Sequence, residues 1–469
     1  MRKRCAKIIA TLGPASASEE KIKTLIDAGV DIFRLNFSHG TREEHARAIS
    51  LIRLLSEKKG NPVAILQDLQ GAKIRIGALK EKQYRLEKGA AFTLFPHTVI
   101  GDADGASTNY SRLFHDIEKG DSILLNDGHV ALAVRDINAG KIHCRVVEGG
   151  VLEPFKGVSV PGKALHLPAL TSKDRNDLKF GLGHGVDYIA VSMVQTAKDI
   201  LLVKRIIKKA GKTTPIIAKL ERAVAITNLD EILQVSDGVM VARGDLGTDL
   251  RPEQVPSVQK EIIRRANLAQ VPVITATQML ESMITNSRPT RAEASDVANA
   301  VFDGTDALML SAETAAGSHP VEAVRMMGRI IVEAEKEAPA LSPTITPGLS
   351  LSEAISRAAY RLAVEMNAKA IVTSSLSGKA ALRLSKYRPP IPIIAFTPSV
   401  EIQRRMALYW GVEAHRILNV TAEDNIFKEM IEGIRIRRLA KKGDRLVLAA
   451  QSPKVATTPT DSIKVYSMT

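Results

Sequence analysis

Four ionisable residues between positions 215 and 247 stand at the ends of two short apolar runs. The run PIIAKLE ends in Lys219 and Glu221, and the run GVMVARGD contains Arg243 and Asp245. If these runs are strands, their alternation places Lys219 and Glu221 on the same face. Salt bridges at two strand ends are one interpretation. Ionisable groups beside buried strands are costly, however, so the pattern favours a ligand, a metal or a reaction at this position.

Eight apolar runs of this kind recur along the chain, and amphipathic helical patterns separate them. The runs are CAKIIATLG, DIFRLNFS, PVAILQDL, DYIAVSMV, PIIAKLE, GVMVARGD, PVITATQM and ALMLSAET. Near-continuous apolar strands that alternate with helices are typical of a parallel sheet covered on both faces. Eight such units predict an α/β fold with a closed (β/α)8 TIM barrel, whose active site lies at the C-terminal ends of the strands.

Polar residues cluster at those predicted strand ends. They are Arg34, Asn36, Asp68, Ser192, Lys219, Glu221, Arg243, Asp245, Thr277, Ser311 and Glu313. Because the C-terminal ends of all eight strands meet at one end of a barrel, these side chains are expected to share one site.

Two segments do not follow the repeat. Residues 71–166 contain short alternating runs and the turn signal NDG, which predict an inserted, mostly-β, barrel-like lid domain. A Pro/Ser-rich linker, EKEAPALSPTITPGLS, precedes a C-terminal α/β regulatory domain at residues 345–469. The predicted barrel domain therefore comprises residues 1–70 and 167–340.

Composition sets limits on the possible functions. The 469 residues include 45% apolar and 25% charged residues, and no apolar run is long enough for a membrane span or a signal peptide, so a cytoplasmic location is expected. Cys5 and Cys144 are the only cysteines, which argues against disulfides and structural zinc. Of the formal charge of +14, the segment from residue 345 contributes 19 Lys/Arg against 10 Asp/Glu. Aromatic residues make up only 4%, which argues against a platform for single-stranded nucleic acid.

Several motifs carry a more specific signal. In chain order they are IIATLGP, RLNFSHG, DLQGAKIR, IIAKLE, SDGVMVARGDLG, ITATQMLESMI, PTRAEASDVANAV and DGTDALMLSAETAAG. The chain resembles the pyruvate kinases in all of these motifs, in their order and in the position of both extra domains. DLQGAKIR is similar to the bacterial type that has lysine, here Lys73, where glutamate is commoner.

The resemblance implies transfer of the phosphoryl group of phosphoenolpyruvate to ADP, followed by protonation of the enolate to pyruvate. Mg²⁺ or Mn²⁺ is the implied cofactor, with Glu221 and Asp245 as its ligands. The implied catalytic residues are Lys219, Arg34, Thr277 and Ser311. The implied phosphoenolpyruvate-binding residues are Arg34, Lys219, Gly244, Asp245 and Thr277. Lys219 and Arg34 are expected at the transferring phosphoryl group.

Three further sets of residues follow from the resemblance. The nucleotide-binding set is Asn36, Ser38, His39, Arg75 and Lys173. The monovalent-cation region is Asn36, Ser38, Asp68 and Leu69, where the ammonium of Lys73 is expected to replace K⁺; the alternative is that Lys73 extends into solvent. The set that binds a phosphorylated effector is Thr373, Ser374, Ser375, Ser377 and Gly378, and a plain helix cap is the alternative there. A homotetramer without nucleic-acid or membrane partners is also expected.

Some positions depart from the common family pattern. Met193 stands where phenylalanine is common, Gln195 where arginine is common, and Thr248-Asp249 where Val-Glu is usual. Two other classes of protein are alternatives: another Mg²⁺-dependent barrel, such as an aldolase or a mutase, and a nucleic-acid-binding protein that uses the basic C-terminal domain. Dependence on ADP would distinguish the first from a pyruvate kinase, and salt-sensitive binding would indicate the second.

Overall fold

A computed structural model of the chain describes residues 4–126, 128–163, 165–337, 350–417, 426–450 and 460–469. By packing, the chain divides into two compact units. One comprises residues 1–67, 183–189 and 263–469, and the other comprises residues 68–182 and 190–262. Most of the predicted linker lies outside the described residues.

The elements before the insertion alternate strand and helix, as predicted. They are β1 (Lys7–Leu12), α1 (Glu19–Ala28), β2 (Ile32–Asn36), α2 (Arg42–Lys59) and β3 (Ala64–Asp68). Ser18 and Thr41 cap the two helices by accepting backbone N–H groups of their first turns. Helix α1 ends at Gly29, whose φ of 104° lies in the left-handed region that glycine adopts without strain.

The inserted segment is built mostly from short strands. They are β4 (Tyr84–Leu86), β5 (Ala91–Phe95), β6 (Gly105–Ser107), β7 (Ser122–Leu125), β8 (Val130–Asn138), β9 (Lys141–Glu148), β10 (Gly150–Leu152) and β11 (Val158–Ser159), with one helix, α3 (Leu113–Asp116). Six strands form a sheet in the order β11-β7-β8-β9-β5-β6, and β10 pairs with β4. The predicted NDG hairpin is confirmed, since Leu125 pairs with Val130 in antiparallel strands. Phe92, Leu132 and Cys144 belong to a core formed within this segment.

The remaining barrel elements follow the insertion. They are α4 (Ser172–Gly183), β12 (Tyr188–Val191), α5 (Ala197–Lys209), β13 (Ile216–Leu220), α6 (Ala223–Thr227), α7 (Leu229–Val235), β14 (Gly238–Ala242), α8 (Arg243–Asp249), α9 (Val255–Leu268), β15 (Val273–Ala276), α10 (Arg291–Phe302), β16 (Ala307–Leu310), α11 (Ala312–Ala315) and α12 (Pro320–Glu337). The eight strands close into a barrel in the order β1-β16-β15-β14-β13-β12-β3-β2. The predicted barrel is therefore confirmed, strand for strand.

At the amino-terminal end of the barrel, an aspartate immediately precedes every second strand. These residues are Asp31, Asp187, Asp237 and Asp306, before β2, β12, β14 and β16. Their carboxylates accept backbone N–H groups of the preceding barrel strands: Ile8 at 2.7 Å, Ile65 at 2.7 Å, Ile216 at 2.9 Å and Val273 at 2.8 Å. Each also pairs with at least one cation: Arg4 at 2.6 Å, Arg53 at 2.7 Å, Lys204 at 3.0 Å, and Lys386 at 2.6 Å with Arg388 at 2.9 Å. The repeat ties strand starts together by charge-assisted hydrogen bonds.

The C-terminal segment forms a second α/β sheet. Its elements are α13 (Leu351–Glu365), β17 (Ala370–Ser374), α14 (Lys379–Lys386), β18 (Ile393–Thr397), α15 (Val400–Arg405), β19 (Val412–Arg416), α16 (Ile426–Ile436), β20 (Arg445–Ala450) and β21 (Ser462–Ser467). The strand order is β19-β18-β17-β20-β21, with only the last pair antiparallel. Strand β19 was not predicted, because VEAHR lacks a continuous apolar run. Among the described helices, none has both the length and the apolar character needed to cross a membrane.

Candidate active site

Lys219 lies at the carboxyl end of β13, where its ammonium is held by three groups. Its Nζ lies 2.8 Å from Glu221 Oε1, 3.2 Å from Asp68 Oδ1 and 2.7 Å from the hydroxyl of Ser192. The side chain of Lys219 is 9% exposed, and the two carboxylates are buried. The predicted proximity of Lys219 and Glu221 is confirmed. A lysine held on several sides has little freedom to move, so its charge is fixed in position before any substrate arrives.

A second cation lies beside Asp245. Lys73 Nζ donates to Asp245 Oδ1 at 2.7 Å, across 172 residues of sequence. The interpretation in which Lys73 extends into solvent is therefore wrong. Arg243, the cation that precedes Asp245 in sequence, instead contacts the side-chain oxygen of Gln259 at 3.4 Å.

The two carboxylates predicted to bind metal influence each other's protonation. Burial raises the pKa of Glu221, and the charge of Asp245 raises it further, against an opposing effect of Lys219. For Asp245, burial works to raise the pKa, but the charges of Lys73 and Lys219 outweigh it, so the pKa is lowered overall. Asp245 is thus the more readily ionised of the two.

The charges of this cluster fit a divalent cation. The cluster contains three carboxylates, those of Asp68, Glu221 and Asp245, and two ammonium groups, those of Lys219 and Lys73. When all five groups are ionised, one negative charge is left over. Like-charged buried carboxylates are stabilised when a cation lies between them. Among the described residues there is no group of three or more His, Cys, Asp or Glu side chains arranged to hold a metal. Mg²⁺ commonly takes only one or two carboxylates from a protein, which matches the predicted pair Glu221 and Asp245.

Ser192 and Met193, which follow β12, contribute to the cluster. Ser192 was expected at the shared site because it ends a predicted strand, but no catalytic or binding role was predicted for either residue. The Ser192 hydroxyl donates to the carbonyl oxygen of Leu69 at 2.8 Å and lies 2.7 Å from Lys219 Nζ, while the backbone N–H of Met193 donates to Glu221 Oε2 at 2.7 Å. Met193 has φ of 57°, which is unusual for a residue with a side chain. Its strained backbone directs an N–H at the carboxylate. The only available sequence signal was the position of both residues after a predicted strand.

Arg34 lies within β2, whereas Thr277 and Ser311 directly follow β15 and β16. Arg34 donates to the hydroxyl of Thr11 at 3.1 Å. Thr277 has φ of 69°, an outlier for a β-branched residue, and its hydroxyl donates to the carbonyl of Ala276 at 2.6 Å. The backbone N–H of Ser311 donates to Glu313 at 2.7 Å.

Three of the predicted nucleotide-binding residues share the turn after β2. Asn36 Oδ1 accepts the backbone N–H of Ser38 at 3.1 Å, and the N–H of His39 donates to the carbonyl of Asn36 at 3.2 Å. His45 stabilises the turn, with its Nε2 3.0 Å from the carbonyl oxygen of His39. These hydrogen bonds fix the turn that presents the side chains of Ser38 and His39.

The other two, Arg75 and Lys173, belong to the unit that contains Lys219. Arg75 donates to the carbonyl of Phe155 at 2.9 Å, and Lys173 pairs with Asp177 at 2.6 Å while remaining half exposed. A cleft of about 280 Å³ is lined by residues 70–75 on one side and by Asn109, Tyr110, Leu167, Pro168 and Thr171. Cationic side chains beside a cleft of this size are suited to an anionic small molecule.

The predicted effector loop follows β17 and leads into α14. Thr373, Ser375 and Gly378 are buried, whereas Leu376 and Ser377 are exposed. Gly378 has φ of 82° and precedes the first residue of the helix, and a Cβ there would lie 3.3 Å from the hydroxyl of Tyr409. Strand, loop and helix thus follow one another directly along the predicted effector-binding set.

All of the comparisons with known proteins match this chain to the same family. The family model of the pyruvate kinase barrel domain matches residues 3–324, and that of the pyruvate kinase alpha/beta domain matches residues 353–466. Pyruvate kinase 2 of Synechocystis sp. is 44% identical over 98% of this chain and 79% of its own length. Pyruvate kinase of Thermotoga maritima is 43% identical over 97% of this chain and 98% of its own. The crystal structure of a pyruvate kinase from Cryptosporidium parvum has a TM-score of 0.93 at 34% identity, covering 99% of this chain and 96% of that one.

Proposed function

The chain belongs to the pyruvate kinase family, and we infer that the cluster around Lys219 is where it transfers the phosphoryl group of phosphoenolpyruvate to ADP. The enzyme is a phosphotransferase that yields pyruvate and ATP, the last step of glycolysis. Family membership excludes the aldolase and mutase alternatives. The observation that supports this location best is the buried ammonium of Lys219 beside Glu221 and Asp68.

Lys219 is assigned to the phosphoryl group during its transfer from phosphoenolpyruvate to ADP. The transferring group passes through a loose transition state whose charge is spread over its oxygens, so catalysis depends on positioned positive charge. Asp68, Glu221 and Ser192 hold the ammonium in place, and it therefore needs no reorganisation during transfer. Arg34 is assigned as a second cation at the same group.

Glu221 and Asp245 are assigned as the protein ligands of Mg²⁺ or Mn²⁺. When bound, the divalent ion supplies positive charge that binds the carboxylate and phosphate oxygens of the substrate. Pairing with Lys73 keeps Asp245 ionised, and the N–H of Met193 orients Glu221. Both carboxylates are thus prepared to accept the ion.

The remaining groups of the substrate are assigned to backbone and hydroxyl donors. The backbone N–H groups of Gly244 and Asp245, at the start of α8, are assigned to the substrate carboxylate, which the positive end of a helix favours. Thr277 is assigned to the same carboxylate and to the water that protonates the enolate. Ser311 is assigned to the catalytic set.

ADP is assigned to Asn36, Ser38, His39, Arg75 and Lys173. Three of these present short polar or imidazole groups from one turn, and two supply positive charge for the phosphates. The cleft along residues 70–75 supports this assignment.

Lys73 is assigned the role that K⁺ has in enzymes with glutamate at this position, so K⁺ is not expected to be required. The support is the ion pair of Lys73 with Asp245, which supplies one permanent positive charge to the metal-binding carboxylates. Activity in K⁺-free buffer with a bulky organic cation tests this assignment. A large loss of kcat that K⁺ restores would contradict it. Lys73→Glu is expected to create a K⁺ requirement.

The C-terminal loop is assigned to a phosphorylated effector. The loop joins β17 to α14, and free N–H groups at the start of a helix together with hydroxyls suit a phosphate. Replacing Ser374, Ser375 and Ser377 by alanine is expected to abolish activation by sugar phosphates while the fully activated kcat stays unchanged. Activation that persists would assign the loop to helix capping alone. We further propose a cytoplasmic homotetramer with the domain boundaries given above.

A coupled pyruvate assay tests the function as a whole. The chain is mixed with phosphoenolpyruvate and ADP, with and without Mg²⁺, and pyruvate formation is followed. The expected result is turnover that requires ADP and the divalent ion together. Turnover without ADP, or none under any condition, would contradict the proposal.

A further inference from the structure

The returning limb of the insertion, defined as residues 159–163 and Leu165, is bonded to the loops after three consecutive barrel strands. Gln195, after β12, donates from Nε2 to the carbonyl of Leu165 at 3.0 Å. Arg222, after β13, donates from Nη2 to the carbonyl of Lys163 at 2.9 Å. Thr248, in the helix after β14, has its hydroxyl 3.2 Å from that of Ser159. One side of the limb is therefore held at three separate points.

The hydroxyl of Thr248 also makes a bond within its own helix, α8, which carries the carboxylate of Asp245. It lies 2.7 Å from the carbonyl oxygen of Asp245, which can only accept a hydrogen bond. A threonine hydroxyl has one proton, so Thr248 donates to Asp245 and accepts from Ser159. The limb is thus linked through two hydroxyls to the backbone of Asp245.

The other two attachment points are rigid. The backbone of Gln195 is fixed on both sides, since its N–H donates to Asp199 at 2.9 Å and its carbonyl accepts from Asn228 at 3.0 Å. Arg222 is 8% exposed and pairs with Asp249, which is 2% exposed, at 3.3 Å. A donor that is already held in position loses little side-chain freedom when it forms a hydrogen bond, so its bond to the limb is favoured.

We propose that Gln195 and Thr248 are positioning residues that hold the inserted domain against the barrel strand ends, so that Arg75 is in place for ADP. The inference rests on the proposed function, because it takes Arg75 as a nucleotide-binding residue.

This arrangement predicts an effect on one substrate only. Arg75 belongs to the inserted domain, whereas every residue assigned to phosphoenolpyruvate belongs to the barrel. Loosening the limb should weaken the binding of ADP and leave that of phosphoenolpyruvate unchanged. Loss of general stability would instead affect both substrates alike.

The test compares Thr248→Val, which keeps the shape and removes the hydroxyl, with Thr248→Ser, which restores it. Ser159→Ala removes the bond to the limb while leaving the bond from Thr248 to Asp245, and Gln195→Glu replaces the donor by an acceptor. Thr93→Val is the matched control, because Thr93 contacts His143 within the insertion.

We expect Thr248→Val, Ser159→Ala and Gln195→Glu each to raise KM for ADP by about three- to tenfold, the scale of one lost hydrogen bond. KM for phosphoenolpyruvate should stay within about twofold in Ser159→Ala and Gln195→Glu, which leave the bond from Thr248 to Asp245 in place.

Hydrogen exchange provides the second readout. Amides of residues 159–163 should exchange faster in Thr248→Val and Ser159→Ala than in the parent, and at the parental rate in Thr248→Ser and Thr93→Val. Unchanged exchange, equal changes in both KM values of Ser159→Ala and Gln195→Glu, or a Thr248→Ser variant that behaves like Thr248→Val would overturn the proposal. If the parent lacks turnover while exchange changes as expected, the proposed function fails and the attachment of the limb stands.

Discussion

Both ends of the barrel carry carboxylates, some fully and some partly buried, yet the partners of these carboxylates differ. At the amino-terminal end, each of Asp31, Asp187, Asp237 and Asp306 accepts a backbone N–H and pairs with at least one cation. At the carboxyl end, three carboxylates share two ammonium groups, and one of the neighbouring backbones is strained. Buried charge by itself therefore does not indicate catalysis. What distinguishes the carboxyl end is negative charge left over for a further cation, beside a lysine held ready for a substrate.

Lys219→Met removes the cation at the centre of the carboxyl end. We expect kcat to fall by at least about 10²–10³, the scale of one lost electrostatic stabiliser, with a much smaller change in KM for phosphoenolpyruvate. The coupled assay measures both constants, and circular dichroism checks the fold. A variant that kept kcat within a few-fold would reduce Lys219 to a structural ion-pair partner.

Asp306→Asn makes the complementary change at the amino-terminal end. The amide still accepts the N–H of Val273, but the buried cations Lys386 and Arg388 lose their carboxylate. We expect the free energy of unfolding to fall by about 2–3 kcal/mol, less than complete loss of a buried partner costs. Urea denaturation measures this, while kcat of the remaining folded enzyme should be unaffected. A fall in kcat with unchanged stability would reverse the roles of the two ends.

Glu221→Gln and Asp245→Asn test whether the surplus negative charge binds the metal. Each amide is neutral and a weaker ligand, so the Mg²⁺ concentration for half-maximal activity should rise about tenfold or more while the fold is kept. Asp303→Asn is a control at an aspartate in the C-cap of α10. Identical Mg²⁺ titrations in both variants and the parent would mean that the metal binds elsewhere.

The buried ammonium of Lys386, at the amino-terminal end of the barrel, predicts that the stability of the protein depends on pH. Burial lowers the pKa of its ammonium from 10.5 to about 8, although Asp306 opposes the shift. Between these two values the unfolded chain binds more protons than the folded one, so stability should rise with pH. We expect the free energy of unfolding to rise by about 1 kcal/mol more in the parent than in Lys386→Met between pH 8 and pH 9. The comparison with Lys386→Met removes the contribution of the other titrating groups, which both proteins share. If the free energy of unfolding changed equally with pH in the two proteins, Lys386 would not be a buried ammonium that titrates in this range.

Much of this architecture could be read from the sequence, because the signals were local. The eight barrel strands are continuous apolar runs, and the ends of those runs placed Lys219 and Glu221 correctly. Helix α10 likewise begins with a local signal, since Thr290 and Glu293 form a capping box three residues apart. In each case the residues that carry the signal are also the residues that make the contact.

The contacts that escaped prediction depend on distant parts of the chain or on backbone angles. Lys73 and Asp245 are 172 residues apart, and the choice of Lys73 rather than Arg243 as the partner depends on how the chain crosses the barrel end. The left-handed backbone of Met193 is invisible because methionine gives no such signal, unlike glycine or asparagine. The four aspartates do precede strands at regular positions, but their cations come from unrelated segments.

The backbone of Thr277 has a consequence for protein engineering. A β-branched residue at φ of 69° is less stable there than glycine or asparagine, which adopt this region readily. A library selected only for heat resistance would therefore favour substitutions at this position. If Thr277 has the role at the substrate that is proposed above, such a library would enrich inactive proteins, and screens for thermostable forms would need to retain a selection for turnover.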